Sequence, residues 1–241
     1  PSKENYLLVG IASKLRDMST VGLTVGGEPY MVIHFDRHAD FVGKTLVSDT
    51  IFVQVDAKVN LQQLLKQAKH PEVPALDLSA YTEKETAKEA DPEPGRLSAV
   101  RTVKVLRDLL PHDAFVYGDD GSHSFYTIKH FTTHVARTFR FDDVFGAMGN
   151  GIGLAIGATV ARPDEPIICF TGDGCLFMHG TEIATAVDEE AHVLFVVFNN
   201  EMLDMVDKGM KNNLGFSAGS RYTKGVNVAQ FAESMGAAGF R

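Results

Sequence analysis

The sequence predicts an α/β protein in which a doubly wound parallel-sheet domain is preceded by part of a second α/β domain. Two unbroken apolar runs, residues 166–170 and 193–198, have no polar alternation, which is what a parallel sheet covered on both faces produces. A helical segment separates them, at residues 178–190. Strand-like and helix-like segments also alternate through the first seventy residues. Between the two regions, residues 71–95 contain Pro71, Pro74, Pro92 and Pro94 around a charged run, the composition of a solvated linker.

Taken in order, residues 6–9, 31–35 and 51–55 predict strands, and an amphipathic helix spans 61–68. The expected division is a partial domain over 1–70, a linker over 71–95 and a second domain over 96–241. In the second domain, Val100, Val103, Leu106 and Leu109 fall at helical spacing within 96–110. A strand follows at 114–117, a helix after Gly121 and a helix of small residues at 151–161. Residues 140–143, Arg-Phe-Asp-Asp, make a poor strand.

Composition narrows the function classes. Of 241 residues, 44% are apolar and 22% charged, close to the averages for globular proteins. The net charge is −8 and the cations are scattered, so nucleic acid is not an expected partner. Two cysteines, Cys169 and Cys175, are too few for a disulfide framework and suit a reducing compartment, the cytoplasm. No apolar run approaches the roughly 18 residues of a membrane span.

The candidate site is the unit from 167 to 200. One strand ends in Thr171-Gly172-Asp173-Gly174, and after a crossover helix the next ends in Asn199-Asn200. Parallel neighbours place both ends on one sheet edge. There Gly172 and Gly174 permit close backbone approach, and the following helix offers free N–H groups to a phosphate. Asp173 and Asn200 add oxygen ligands, a set that suits a hard cation such as Mg²⁺ completed by ligand phosphates. Alone, each short segment is an ordinary turn or strand end. Chance is a poor account of both in this order, with 24 residues between Gly174 and Asn199.

This pattern resembles the signature of thiamine diphosphate enzymes. The segment from Met178 through Ala186 looks like the helix that follows it in the acetolactate synthase group, and Gly146-Ala147-Met148-Gly149-Asn150-Gly151 is similar to the same group's Gly-x-Met-Gly-x-Gly. The resemblance implies thiamine diphosphate and Mg²⁺ as cofactors. Asp173, the Asn200 side chain and the Met202 backbone oxygen would bind the metal. The N–H groups of Gly174 and Cys175 would hold the diphosphate, with Ser122 and His123 as further contacts. The Gly146 carbonyl would accept a hydrogen bond from the aminopyrimidine, and Met148 would prop the bent cofactor.

The front region resembles the second half of the family's middle domain, which in several relatives holds a flavin or an adenine nucleotide. Lys14 stands near where flavin-containing members carry Arg, so FAD stays undecided. The family implies an N-terminal domain bearing an activating glutamate, supplied by a missing segment or a partner subunit, and assembly as homodimers or homotetramers. On this basis the chain is expected to be a fragment, truncated at its C-terminus and inactive alone.

Met205-Val206 matches the Met-Val of acetolactate synthases, where decarboxylases place a glutamate at the second position. An apolar pocket at Met205 and Val206 favours transfer of the acyl carbanion from a small 2-oxo acid or diketone to an acceptor. A simple 2-oxo acid decarboxylase or a C–C hydrolase is the alternative. Gly209 stands where strict acetohydroxyacid synthases carry a tryptophan, which widens the pocket. Two other classes remain open: a non-catalytic subunit, and a nicotinamide oxidoreductase using Gly149, Gly151, Gly153 and Gly157. The second lacks the clear apolar strand that such a loop should follow.

Overall fold

The two apolar runs form neighbouring strands of one parallel sheet, β6 (Ile167–Gly172) and β7 (Val193–Phe198), in register from Ile167 opposite Val193 to Gly172 opposite Phe198. The computed structural model describes residues 6–15, 20, 29–46, 48–69, 90–142 and 145–241. The chain divides into two compact units, Pro1–Leu76 and Asp77–Arg241. Most of the expected linker, residues 71–89, lies outside the described residues.

In the first unit, β1 (Leu7–Ile11), β2 (Met31–Asp36) and β3 (Asp49–Gln54) form a parallel sheet with β2 in the middle. Val32 and His34 are buried on one face, and the His34 ring nitrogen Nε2 lies 2.7 Å from the Ser13 carbonyl. Helix α1 (Ala57–Gln67) begins four residues earlier than its apolar pattern suggests. Asp56 caps it, accepting the N–H groups of Lys58 and Val59 at 3.0 and 3.2 Å.

In the second unit, Ser98 caps helix α2 (Ala99–Leu109) by accepting the Arg101 N–H. Val100 and Val103 are buried, but Leu109, expected on the same face, is 76% exposed in the last turn. Strand β4 (Phe115–Gly118) leads into helix α3 (Ser122–His130) and then into β5 (Phe139–Phe141). The poor strand expected at 140–143 is thus a three-residue strand shifted toward Phe139. Pairing with β4 and stacking of Phe139 on Phe131 at 5.8 Å supply what its polar sequence lacks.

Helix α4 (Asn150–Ala161) precedes β6. The single helix expected at 178–190 is two pieces, α5 (Asp173–His179) and α6 (Glu182–Asp188). The break falls at Gly180, where a Cβ would lie 2.3 Å from the Leu176 carbonyl oxygen. Helices α7 (Asp204–Leu214) and α8 (Val228–Glu233) follow β7. No helix among the described residues is long and apolar enough to cross a membrane.

The strand order is β5-β4-β6-β7, all parallel, and every residue of β6 is buried. Alternation along β6 sends Ile167 and Cys169 into a cluster with Ile152, Ala155 and Leu176, and Ile168 and Phe170 into one with Val103, Val116 and Phe131. Both faces are covered, as in a doubly wound fold. From β4 the chain passes to β5 on one side, and from β6 to β7 on the other. The carboxyl ends of β4 and β6 therefore flank a topological switch point, where such sheets bind ligands.

Candidate functional site at the sheet switch point

Four segments meet at this edge: residues 119–123 after β4, the turn 146–149 before α4, residues 172–175 after β6 and residues 199–203 after β7. Asp173, the first residue of α5, is 3% exposed. Its Oδ1 accepts the Gly174 N–H at 2.8 Å, and its Oδ2 accepts the Glu201 N–H at 2.7 Å. Burial pushes its pKa up, and the backbone N–H groups pull the other way. Two loops distant in sequence are thereby joined through one carboxylate.

The 199–203 loop is held from its other side as well. Leu203 donates its N–H to the Ser220 carbonyl at 2.7 Å, and Tyr222 donates to the Glu201 carbonyl at 3.0 Å, flanking a Met202–Arg221 bridge. Asn199 accepts the Glu201 N–H at 3.3 Å and donates to the Val226 carbonyl at 3.4 Å. The Asn200 side chain is exposed and has no hydrogen-bond partner among the described residues. Within this loop Glu201 has φ of 60°, a left-handed conformation uncommon for a residue with a side chain.

Gly174 lies beneath a convergence of side chains. A Cβ there would meet Leu203 Cδ2 at 2.6 Å, Met148 Cε at 3.0 Å and Tyr222 Oη at 3.3 Å. The structure thus brings Met148 onto Gly174 from a different segment. Met205 and Val206 lie in the first turn of α7, with Met205 half-buried and Val206 exposed. Leu203 is what reaches Gly174. At Gly209 a Cβ would find open space.

Cys175 donates its thiol hydrogen to the Asp120 carbonyl at 2.9 Å, and burial, followed by the Asp119 charge, pushes its pKa up to about 12. The group is a packed thiol rather than a thiolate nucleophile. His123 is 7% exposed and stacks on Phe198 with ring centroids 5.9 Å apart. Its Nε2 is buried without a hydrogen-bond partner, and burial lowers its pKa to about 4. Ser122, at the start of α3, is half-buried beside it. Gly146 has φ of 68°, and a Cβ there would lie 2.7 Å from Asp120 Oδ2.

Sequence reasoning passed over Asp119, which is 2% exposed. Its Oδ1 accepts the N–H groups of Gly149 at 2.7 Å and Asp120 at 3.0 Å, and its Oδ2 accepts the Thr171 hydroxyl at 3.0 Å. The only sequence signal is a carboxylate immediately after a strand. It passed over Asp207 as well, a buried carboxylate on α7 that accepts Ser217 Oγ at 2.8 Å, Ser220 Oγ at 2.9 Å and Lys211 Nζ at 2.6 Å. Lys211 first, then the two hydroxyls, hold its pKa well below the usual carboxylate range.

The donor set fits a metal-bound diphosphate. Asp119, Asp120 and Asp173 all have pKa values raised first by burial, a cost that a bound cation would offset. His123 supplies an orphaned nitrogen, and Gly174 lies under groups that a ligand could displace. Among the described residues no cluster of three or more His, Cys, Asp or Glu side chains forms a metal cage, so a metal here would need amide, backbone and ligand oxygens. A separate cavity of about 390 Å³, lined by Phe115, Arg137, Arg140 and Arg162 among others, receives none of the four site segments.

Residues 119–241 match the family described as "Thiamine pyrophosphate enzyme, C-terminal TPP binding domain". The chain is 28% identical over 213 residues to acetolactate synthase isozyme 1 large subunit of Escherichia coli (strain K12), covering 85% of this chain and 37% of that protein. It is 26% identical over 223 residues to the probable acetolactate synthase large subunit of Methanococcus aeolicus, covering 84% and 37%. Against acetolactate synthase of Bacillus subtilis (strain 168) it is 27% identical over 165 residues, 68% of this chain and 29% of the relative. The matched regions span only 29–37% of the length of these relatives.

Proposed function

Because the chain belongs to the thiamine pyrophosphate enzymes through their C-terminal TPP-binding domain, we propose that its switch-point edge binds thiamine diphosphate with Mg²⁺ for carbon–carbon bond chemistry beside a carbonyl. The observation that carries this reading is Asp173: a buried carboxylate at the end of the central strand, joined to the 199–203 loop.

In this reading Asp173, the Asn200 side chain and the Met202 backbone oxygen ligate Mg²⁺. The N–H groups of Cys175 and of Gly174, which would turn from Asp173 Oδ1 to the ligand, hold the diphosphate, and Ser122 and the His123 ring border it. The free Asn200 amide and the unpartnered His123 Nε2 support these assignments. Gly146 offers its carbonyl to the aminopyrimidine, and Met148 supports the cofactor beside Gly174. When bound, thiamine diphosphate supplies a thiazolium that stabilises a carbanion. The chain's own residues bind and orient, and the apolar Met205 and Val206 place no proton donor on the substrate side.

The substrate class is a small 2-oxo acid or diketone, and the reaction is transfer of an acyl carbanion to an acceptor. The names of the acetolactate synthase relatives support this. Residues 1–70 are assigned to a partial middle domain, 71–95 to a linker and 96–241 to the cofactor-binding domain. Calorimetric titration with thiamine diphosphate, with and without Mg²⁺, tests the binding. Saturable binding that requires Mg²⁺ is expected, and failure to bind in its presence would overturn the proposal. A product assay with pyruvate, in an enzyme that contains this chain, tests the reaction: acetolactate is the expected product and acetaldehyde alone would reject it.

A further inference from the structure

We propose that Asp119 is a positioning residue that fixes the 146–149 turn against the carboxyl end of β6, so that the two ends of one extended ligand are bound in register. The proposal rests on the thiamine diphosphate reading. In that reading the diphosphate end lies at residues 172–175 and the aromatic end at Gly146 and Met148.

The geometry is specific to this task. Asp119 lies at the end of β4, between β5 and β6, and its two oxygens point to different elements. Oδ2 holds Thr171, 52 residues away on β6, and Oδ1 holds the N–H of Gly149, 30 residues away. Gly149 has φ of 92° and starts α4 from a left-handed conformation. Its N–H lies at the close of the turn that carries Gly146 and Met148. The backbones are also in close contact, since a Cβ on Gly151 would lie 2.9 Å from the Asp119 nitrogen.

Helix α4 does not need this bond to pack. Ile152, Ala155 and Ile156 already bury it in the core. What the carboxylate adds is the placement of the segment just before the helix. That placement carries to the diphosphate side, because Met148 Cε is among the atoms a Cβ on Gly174 would meet, at 3.0 Å, and the Met148 carbonyl lies 3.1 Å from His179 Nδ1. A carboxylate suits the position because it can accept from three donors at once.

The test compares two ligands on one chain. Thiamine diphosphate and inorganic diphosphate are titrated by calorimetry with Mg²⁺ against the unaltered chain, Asp119→Ala and Asp119→Asn. With Asp119→Ala, affinity for thiamine diphosphate is expected to fall by about tenfold or more, while affinity for inorganic diphosphate stays within about twofold. Asp119→Asn keeps an oxygen for the two N–H groups and should restore most of the difference. Equal loss for both ligands, or no loss, overturns the proposal.

Hydrogen exchange provides a readout independent of the cofactor. In Asp119→Ala, peptides covering residues 145–151 should exchange about tenfold faster while those covering β4 and β6 do not change. Should the unaltered chain bind neither ligand, the cofactor reading fails, and unchanged exchange at 145–151 would then sink the positioning role too. If Asp119→Ala does not fold, Thr171→Val removes one of the three bonds and should give the same selective pattern at smaller size; an unaltered ligand ratio and exchange rate would reject it.

Discussion

The Asp173 carboxylate accepts the backbone N–H of Glu201 at 2.7 Å, and Glu201 has φ of 60°. One buried charge thus helps hold a residue in a conformation that costs on the order of 1 kcal/mol or more. The strain lies between Asn200 and Met202, the two loop residues assigned to the metal. It fixes the direction in which the chain leaves β7.

Asp173→Asn separates charge from geometry. The amide oxygen can still accept one N–H, so thermal unfolding should shift by no more than about 1–2 kcal/mol in stability. Mg²⁺-dependent binding of thiamine diphosphate should fall by about tenfold or more, because the one carboxylate in the ligand set is gone. Calorimetry with and without a chelator measures this; an undiminished Mg²⁺ dependence would refute the ligand assignment.

Two glycine substitutions should fail for different reasons. In Gly151→Ala the new Cβ meets the Asp119 backbone at 2.9 and 3.0 Å, which cannot move without shifting a strand end. A loss of about 2 kcal/mol or more is expected in denaturant unfolding. In Gly174→Ala the Cβ meets the far ends of Leu203, Met148 and Tyr222, which can turn aside. Stability should change by less than about 1 kcal/mol while diphosphate affinity drops, since the methyl group occupies the cradle. Equal destabilisation of the two variants would show that the contacts at Gly174 are as rigid as those at Gly151.

Acid should weaken the fold through His123. Its folded pKa is lowered to about 4 from 6.5 because burial disfavours the charged ring. Between those values the unfolded chain takes up a proton that the folded chain does not, so stability falls as pH drops through that window and is level above it. The contribution is at most about 3 kcal/mol. His123→Phe keeps a ring against Phe198 and should flatten this part of a pH series of chemical unfolding curves; an unchanged slope between pH 6.5 and 4 would remove His123 as the cause.

Asp207 ties α7 to the segment that clamps the 199–203 loop, since Ser220 gives its hydroxyl to Asp207 and its carbonyl to Leu203. Asp207→Ala should leave residues 215–222 open to proteolysis, with cleavage about tenfold faster than in the unaltered chain. Its pKa is held low, so its stabilising effect is present above the ordinary carboxylate value and is lost as pH falls through the folded value. Unaltered digestion kinetics would show that the clamp holds without it.

The parts of this architecture that were legible in sequence are those with local signatures. β6 announces itself as an apolar run because both its faces are covered, β7 shows the same run although it is only partly buried and Leu194 is exposed, and Gly172, Asp173 and Gly174 stand out because a turn follows a strand. What was hidden depends on distant partners. Asp119 gains its meaning from Gly149 and Thr171, neither of them a neighbour in sequence. β5 is too short to show periodicity and exists through Phe131 and β4. The break between α5 and α6 falls at Gly180, where a side chain would not fit against the Leu176 carbonyl, and a helical hydrophobic pattern does not report it. Leu109 matched the pattern but is exposed at the last position of α2.

The complete burial of β6 has a kinetic meaning. A strand paired on both edges and covered on both faces cannot open without taking the sheet with it, so Ile168 to Phe170 should exchange their amide hydrogens only through global unfolding. The 199–203 loop is tied instead by separate hydrogen bonds to Asp173 and to residues 220–222. A ligand at this edge would therefore meet one wall that belongs to the core of the sheet and another joined to it through a handful of hydrogen bonds. The position of a bound group would then be set by the strand, and a change in those few bonds would be felt on the loop side alone.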